Sequence, residues 1–254
     1  MRRLLPLLLA ALSVCSLPAR AGDLADLEIY DRSSGTTLPL YRHDGRLYVP
    51  GEPRHEYELR IRNHSGGRLL AVSSVDGVNV LSGETAAPGQ DGYVLDAYGS
   101  TAIAGWRKSL QRVAAFYFTS LPDSYAARTG RPDDVGVIGV ALFRERLPCC
   151  LPIQGLSRDE TRAQPAPAAP SASAGSAAKA APEAMERLGT GHGRSEYSAA
   201  YETQFERNSA VPDQVISIFY DSRRKLIAEG IIAEPRGLAQ RSPNPFPGSF
   251  VPDP

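Results

Sequence analysis

The sequence is poor in cysteine and tryptophan. Its 254 residues include three Cys and one Trp. Cys15 lies in an apolar N-terminal stretch of the kind that is cleaved from exported proteins. If that stretch is removed, Cys149 and Cys150 are the cysteines that remain. Two adjacent cysteines do not make the disulfide framework of a small secreted domain. They leave open a vicinal redox pair, an interchain disulfide, or an incidental exposed pair, and we favour the incidental pair.

Charge of one sign and long apolar runs are also missing. The 28 basic residues balance 28 acidic ones, which gives zero net charge. A nucleic-acid-binding protein needs a basic face, so this balance argues against nucleic acid as a partner. Beyond the N-terminus, no apolar run reaches the roughly 18 residues of a membrane-spanning helix. The sequence therefore predicts no membrane span once an N-terminal signal is removed.

Motifs that carry catalytic chemistry are absent as well. The chain has no Gly-x-Ser-x-Gly elbow, no phosphate-binding P-loop and no His-Glu-x-x-His metal motif. Its four histidines are scattered along the chain. A metal site built from His43 and His55 with nearby carboxylates is the weaker interpretation of two of them. We therefore predict no catalytic residue, no metal ligand and no cofactor.

The N-terminus carries the pattern of a secretory signal peptide. Arg2 and Arg3 precede an apolar stretch over residues 4–17, and the small-x-small triplet Ala19-Arg20-Ala21 follows. This order predicts cleavage after about residue 21 and a periplasmic or secreted protein. Removing residues 1–21 leaves 25 basic and 28 acidic residues, a net charge of −3. Such mild acidity predicts no general attraction to nucleic acid or anionic lipid.

Composition divides the rest of the chain. Residues 163–182 contain ten Ala, four Pro and three Ser, and the tail over 241–254 contains five Pro. Such segments bury too little apolar area to offset the entropy of ordering, so both are predicted to be disordered. The predicted organisation is a signal peptide over 1–21, a sandwich domain over 23–156, a linker over 157–184, a C-terminal block over 185–236 and a proline-rich tail over 237–254.

The first block, residues 23–156, has the alternation of β-strands. Tyr57, Leu59 and Ile61 fall on one face of a segment with a strict period of two. Asp44-Gly45 and Asp76-Gly77 are strong hairpin signals, because glycine accepts the positive φ that such turns require. Turns recur about every ten residues, as they do in sandwiches. The pattern predicts a mainly β fold, an antiparallel β-sandwich of about eight to ten strands.

The C-terminal block is too small to form a core of its own. Residues 197–206 alternate between polar and mostly apolar side chains and predict one strand, and residues 215–220 predict a second. Asp221 or Ser222 then caps a short helix that Gly230 ends. Two strands and one helix rarely fold alone. We therefore expect this block to dock on the first and complete the sandwich, with a separate small domain as the alternative.

The candidate binding residues lie at predicted strand ends or in predicted loops: Trp106, Arg107, Lys108, Tyr125, Arg128 and His192. A tryptophan beside two cations can stack on a sugar or bind an acidic partner. The alternative is a core tryptophan whose neighbouring cations point into solvent. Tyr125 and Arg128 belong to a long loop over 121–134, which carries function or merely crosses between sheets. His192 sits in a glycine-rich run that either contacts substrate or leads flexibly into a strand.

The order of several short segments resembles a group of uncharacterised exported bacterial proteins. The matching segments cover residues 75–80, 82–84, 92–95, 105–109, 115–118, 124–132, 136–141, 188–193 and 205–207, and begin with Val75-Asp76-Gly77-Val78-Asn79-Val80. The resemblance spans residues 41–232 apart from the linker. It implies export, and it adds no catalytic residue because the group has no assigned activity.

Together these features predict an exported, non-catalytic β-sandwich that binds a protein or another component of the bacterial cell envelope. The alternative is an envelope hydrolase or metal-dependent enzyme with its site near His192. The export signal, the β pattern and the lack of an acid–base constellation favour the binding module.

Overall fold

Both predicted Asp-Gly turns form hairpins in the computed structural model, which describes residues 23–147 and 187–233. Asp44 and Gly45 have φ angles of 47° and 75°, and Asp76 and Gly77 have φ angles of 53° and 71°. Two consecutive positive φ angles are the mark of the type I′ turn that suits the twist of paired strands. These turns set the register of two antiparallel strand pairs.

Fourteen strands lie in the described ranges and form two seven-stranded sheets. Sheet I contains β1 (Ala25–Asp31), β2 (Thr36–Thr37), β5 (Glu56–Asn63), β9 (Ser100–Ile103), β10 (Gly105–Ser109), β11 (Arg112–Ser120) and β13 (Leu188–Tyr197). Sheet II contains β3 (Tyr41–His43), β4 (Arg46–Gly51), β6 (Leu69–Val75), β7 (Val78–Asn79), β8 (Tyr93–Leu95), β12 (Val137–Arg144) and β14 (Gln214–Ser222). The β-sandwich is therefore confirmed.

Pairing in the two sheets is antiparallel with one exception. The order in sheet I is β10-β11-β5-β1-β2, with β13 on β11 and β9 on β5. The order in sheet II is β3-β4-β14-β12-β6-β7, with β8 on β6. The parallel pair is β14 with β4. The C-terminal block thus supplies an edge strand to one sheet and a central strand to the other, so it completes the sandwich as expected.

Apolar side chains from both sheets form one core. The alternation predicted for β5 is observed, because Tyr57, Leu59 and Ile61 are all fully buried. Tyr57 stacks on Phe118 with a centroid distance of 4.3 Å. Ile218 of β14 is also fully buried in this core. The C-terminal block therefore contributes to the same hydrophobic cluster as the first block.

One strand prediction in the C-terminal block is wrong. Residues 197–206 alternate in sequence, but the strand lies earlier, at Leu188–Tyr197, and the residues after it form no regular strand. Residues 198–200 instead run beside the turn between β10 and β11, and residues 203–213 cross the outer face of sheet II, where Phe205 packs on Phe143 and its apolar neighbours. The glycine-rich run, expected as a loop or a lead into a strand, is itself part of β13.

Helices are short in the described part of the chain. A single 3-10 turn (Leu121–Asp123) leads into α1 (Tyr125–Arg128), and α2 (Arg223–Ala228) follows β14. Ser222 caps α2 by accepting a hydrogen bond from the Lys225 N–H at 3.3 Å, and Gly230 follows with a φ of 73°. Among the described residues, no helix has the length and apolar character needed to cross a membrane.

Several predictions concern residues outside the described ranges. The signal peptide over 1–21, the linker over 157–184, the tail over 237–254 and the pair Cys149 and Cys150 all lie there. They stay predictions.

The role of β14 in the core can be measured by comparing two of its residues. We expect Ile218→Ala to lower the free energy of unfolding by about 2–5 kcal/mol, because it leaves a cavity in the core. Val215 lies on the same strand with 59% of its surface exposed. Val215→Ala is expected to change stability by less than about 0.5 kcal/mol. Chemical denaturation measures both, and equal effects would contradict the placement of β14.

Candidate functional site

The glycines of β13 allow this strand to pack closely on its neighbours. A Cβ atom at Gly191 would lie 2.2 Å from Cζ of Tyr117, and one at Gly189 would lie 2.5 Å from Cβ of Ser124. Real Cβ atoms do not come so close, so a larger side chain would have to displace Tyr117 at the first position and Ser124 or β13 at the second. The intervening residues, Thr190 and His192, are directly opposite Phe118 and Phe116 of β11. They therefore share the face of sheet I that carries the core.

Three of the predicted binding residues come together at the end of this core. We call Trp106, Tyr125 and His192 the aromatic cluster. The ring centroid of Tyr125 lies 4.8 Å from that of Trp106 and 5.4 Å from that of His192, and Trp106 and His192 are 6.3 Å apart. Trp106 is 3% exposed, Tyr125 is half-buried and His192 is exposed. A buried ring thus supports two rings that reach the surface.

Trp106 itself is a core residue, as one of the two sequence interpretations held. Its ring packs edge-on against Phe116 at 4.8 Å. Its indole Nε1 is buried and has no hydrogen-bond acceptor among the residues that the structure describes. Packing alone therefore holds this ring in place. A partner at the surface would contact Tyr125 and His192, which lie over the ring.

The loop over 121–134 positions Tyr125 through a capped helical turn. Ser124 accepts a hydrogen bond from the Ala127 N–H at 3.2 Å, and its hydroxyl donates to the Leu121 carbonyl at 2.7 Å. Gly130 follows the turn with a φ of 80°. Because Ser124 is fully buried against β13, the first residue of α1 is held beside His192.

The remaining candidates lie outside the aromatic cluster. Arg107 donates hydrogen bonds to the Tyr93 hydroxyl at 2.8 and 3.1 Å and to the Ser198 carbonyl at 2.5 Å. Lys108 is exposed near the end of β10, and Arg128 is exposed in α1. The neighbouring residues Trp106 and Lys108 therefore belong to different environments, one buried and one in solvent.

Below the aromatic cluster lies a buried set of polar groups that the sequence did not reveal. We call Asp76, Tyr220, Thr190 and Tyr57 the Asp76 network. One carboxylate oxygen of Asp76 accepts from the Tyr220 hydroxyl at 2.5 Å and from the Gly136 N–H at 2.9 Å. The other accepts from the Thr190 N–H at 2.7 Å. All four side chains are at most 2% exposed.

The hydroxyl groups of the network have one consistent order of donors. The Tyr220 hydroxyl donates its one hydrogen bond to Asp76. Its oxygen is therefore the acceptor for the Thr190 hydroxyl, at 2.7 Å. The Thr190 oxygen then accepts from Tyr57 at 2.6 Å. Since Tyr57 and Thr190 are in sheet I and Asp76 and Tyr220 are in sheet II, the network joins the two layers through the core.

The pKa values of the network follow from its burial. Burial raises the pKa of Asp76 to about 6, although the hydrogen bonds from Tyr220, Gly136 and Thr190 act to lower it. Burial and the neighbouring Asp76 charge also raise the pKa of Tyr57 and Tyr220 well above the usual range. Both phenols therefore remain protonated donors, and Asp76 is an ionised acceptor at neutral pH.

The four histidines are not gathered into a site. His43 lies 3.4 Å from Asp44, His55 lies 2.7 Å from Asp31 and His64 lies 2.6 Å from Asp26. His192 contacts rings, and no carboxylate pairs with it within the described ranges. Nor do the described residues hold a group of three or more His, Cys, Asp or Glu side chains with the geometry of a metal site.

Comparison with known proteins adds no relative. No protein family, curated protein or solved structure matches this chain. The site is therefore interpreted from its own geometry.

The ionisation of Asp76 predicts a specific dependence of stability on pH. Because folding raises the pKa of this carboxyl, its contribution favours the fold fully below about pH 4 and is lost as the pH rises through about 6. Asp76→Asn removes the titration. The difference in free energy of unfolding between the natural protein and this variant should therefore fall by roughly 2 kcal/mol from pH 4 to pH 7.

A matched control exists in the other Asp-Gly turn. Asp44 has the same backbone conformation, but 89% of its side chain is exposed. The Asp44→Asn variant should show no such change when denaturation is measured over the same pH range. A flat difference for Asp76→Asn would contradict the burial of an ionised carboxylate.

Proposed function

We propose that this protein is an exported, non-catalytic binding module of the bacterial cell envelope and that the aromatic cluster is its contact surface. The observation that carries the proposal is that Tyr125 and His192 reach the surface on top of the buried ring of Trp106. Aromatic side chains with one apolar face and a polar tip are typical of binding surfaces, because they lose little conformational entropy on contact. The cluster is thus a small, rigid platform.

The environment of His192 favours binding over acid–base catalysis. A general base needs its proton acceptor within about 3 Å of a partner or substrate and is usually oriented by a second polar group. Within the described residues, His192 has ring neighbours and no paired carboxylate. The buried carboxylate of the region, Asp76, is fully enclosed and has donors on both of its oxygens. Neither group is arranged to transfer a proton to a bound molecule.

Support for the cluster comes from different parts of the chain. Trp106 is on β10, Tyr125 is on α1 and His192 is on β13. The last of these belongs to the C-terminal block. The surface therefore exists only when that block is docked, which makes binding depend on the complete sandwich.

The tryptophan offers a direct assay of this proposal. Trp106 is the only tryptophan of the chain, so its fluorescence reports on the cluster without interference. Soluble peptidoglycan fragments and fractionated envelope proteins are titrated separately. We expect one fraction to change the emission and His192→Ala to weaken that binding by about tenfold, since an exposed ring at the centre of a contact is worth about 1.4 kcal/mol.

The His43→Ala variant serves as the control, because His43 is a surface histidine on the β3–β4 hairpin of sheet II. It should bind like the natural protein. The proposal fails if no fraction changes the emission of Trp106. It also fails if His192→Ala, with an unchanged melting temperature, binds as well as the natural protein.

A further inference from the structure

A second surface lies at the turn between β10 and β11. The chain that follows β13 runs alongside this turn, because the Ser198 N–H donates to the Gln111 carbonyl at 2.8 Å and the Ala200 N–H donates to the Leu110 carbonyl at 2.7 Å. Arg112 is directly opposite Tyr197 in the β11–β13 pair. The end of β10, the start of β11 and the chain that follows β13 therefore lie side by side. We call this region the hairpin tip, formed by Arg107, Lys108, Leu110, Arg112, Tyr197 and Tyr201.

Apolar side chains at the hairpin tip project into solvent. Leu110 is 44% exposed, Tyr197 is 73% exposed and Tyr201 is 90% exposed. Single exposed apolar residues are normal on protein surfaces. Here, however, three of the eight large hydrophobic residues exposed in the described ranges share one turn. Such a concentration indicates a contact surface.

Positive charge surrounds these apolar side chains. A stretch of six residues in the hairpin carries three cations, Arg107, Lys108 and Arg112. Arg107 and Arg112 are bonded to hydroxyl and carbonyl oxygens, and no carboxylate in the described parts of the chain forms an ion pair with any of the three. Some arginines in or next to sheet I do form ion pairs with carboxylates. Arg32 and Arg194, for example, both pair with Glu56 and Glu196.

The tip is a local exception to the charge of the whole chain. The exposed Glu202 follows Tyr201, so the three cations and this acid give the tip a charge of +2. The chain after removal of residues 1–21 has a net charge of −3. Attraction between the tip and an anionic surface would therefore orient the molecule with the tip towards that surface.

We propose that the hairpin tip docks on an anionic phospholipid surface. Tyrosine rings lie at the level of lipid headgroups, with the apolar ring towards the acyl chains and the hydroxyl in water. Lys and Arg beside them contact anionic headgroups while their aliphatic stems cover the apolar region. The combination of exposed Tyr197, Tyr201 and Leu110 with three cations lacking ion pairs has both components.

The test is co-sedimentation of residues 22–254, which contain the whole described structure, with lipid vesicles. One set contains phosphatidylethanolamine and phosphatidylglycerol, and the other contains phosphatidylcholine alone. We expect binding to the anionic set, weakened by added salt because salt screens exposed charges. The double variant Tyr197→Ser/Tyr201→Ser should bind about tenfold more weakly, since two interfacial anchors are lost. Lys108→Gln should weaken binding and reduce its dependence on salt.

Two controls distinguish this proposal from others. Tyr98 is 70% exposed on the loop between β8 and β9, so Tyr98→Ser should leave vesicle binding unchanged. His192→Ala should also leave vesicle binding unchanged, because the aromatic cluster is a separate surface. The proposal of lipid docking can therefore stand even if the proposed function of the aromatic cluster fails. Equal binding to both vesicle sets, no binding to either, or unchanged binding by the double tyrosine variant would overturn the proposal. A dimer that the double tyrosine variant abolishes, without vesicle binding, would assign the tip to a second copy of the chain instead.

Discussion

The two halves of this chain depend on one buried carboxylate. Asp76 is in a hairpin turn of the first block, and burying an ionised carboxylate without donors is very costly. The first block supplies the Gly136 N–H and a further backbone contact from Val137, and the C-terminal block supplies the donors of Thr190 and Tyr220. The first block alone therefore leaves Asp76 under-satisfied. This constraint explains why a segment of two strands and one short helix is an integral part of the sandwich.

The same constraint fixes the position of β13, and with it the two surfaces that we propose for binding. As an edge strand of ten residues that pairs with β11, β13 has no second strand beside it in the described residues, and the Thr190–Asp76 bond ties its open side to sheet II. Two residues further on, His192 completes the aromatic cluster, and the strand ends at Tyr197 in the hairpin tip. A shift of β13 by one residue would turn Thr190 out of the core and His192 away from Tyr125.

Local patterns in the sequence predicted the local structure well. The strict alternation of β5, both Asp-Gly turns and the Ser222 cap are each determined by a few adjacent residues, and all are observed. The strand expected over 197–206 is wrong because its alternation reflects coverage of the outer face of sheet II and exposure at the tip. The Asp76 network was invisible for a different reason. Its partners are 60, 114 and 144 residues from Asp76 in sequence, so no local pattern connects them.

Hydrogen exchange of the Thr190 amide is the most direct test of the account. An amide on the open side of an edge strand normally exchanges through small local openings. If this amide donates to a buried carboxylate that unites both sheets, it exchanges only when the whole sandwich unfolds. Its opening free energy should then equal that of central-strand amides such as those of β5. Exchange at a much lower opening free energy would show that β13 is held only by β11, and would contradict the central role of Asp76.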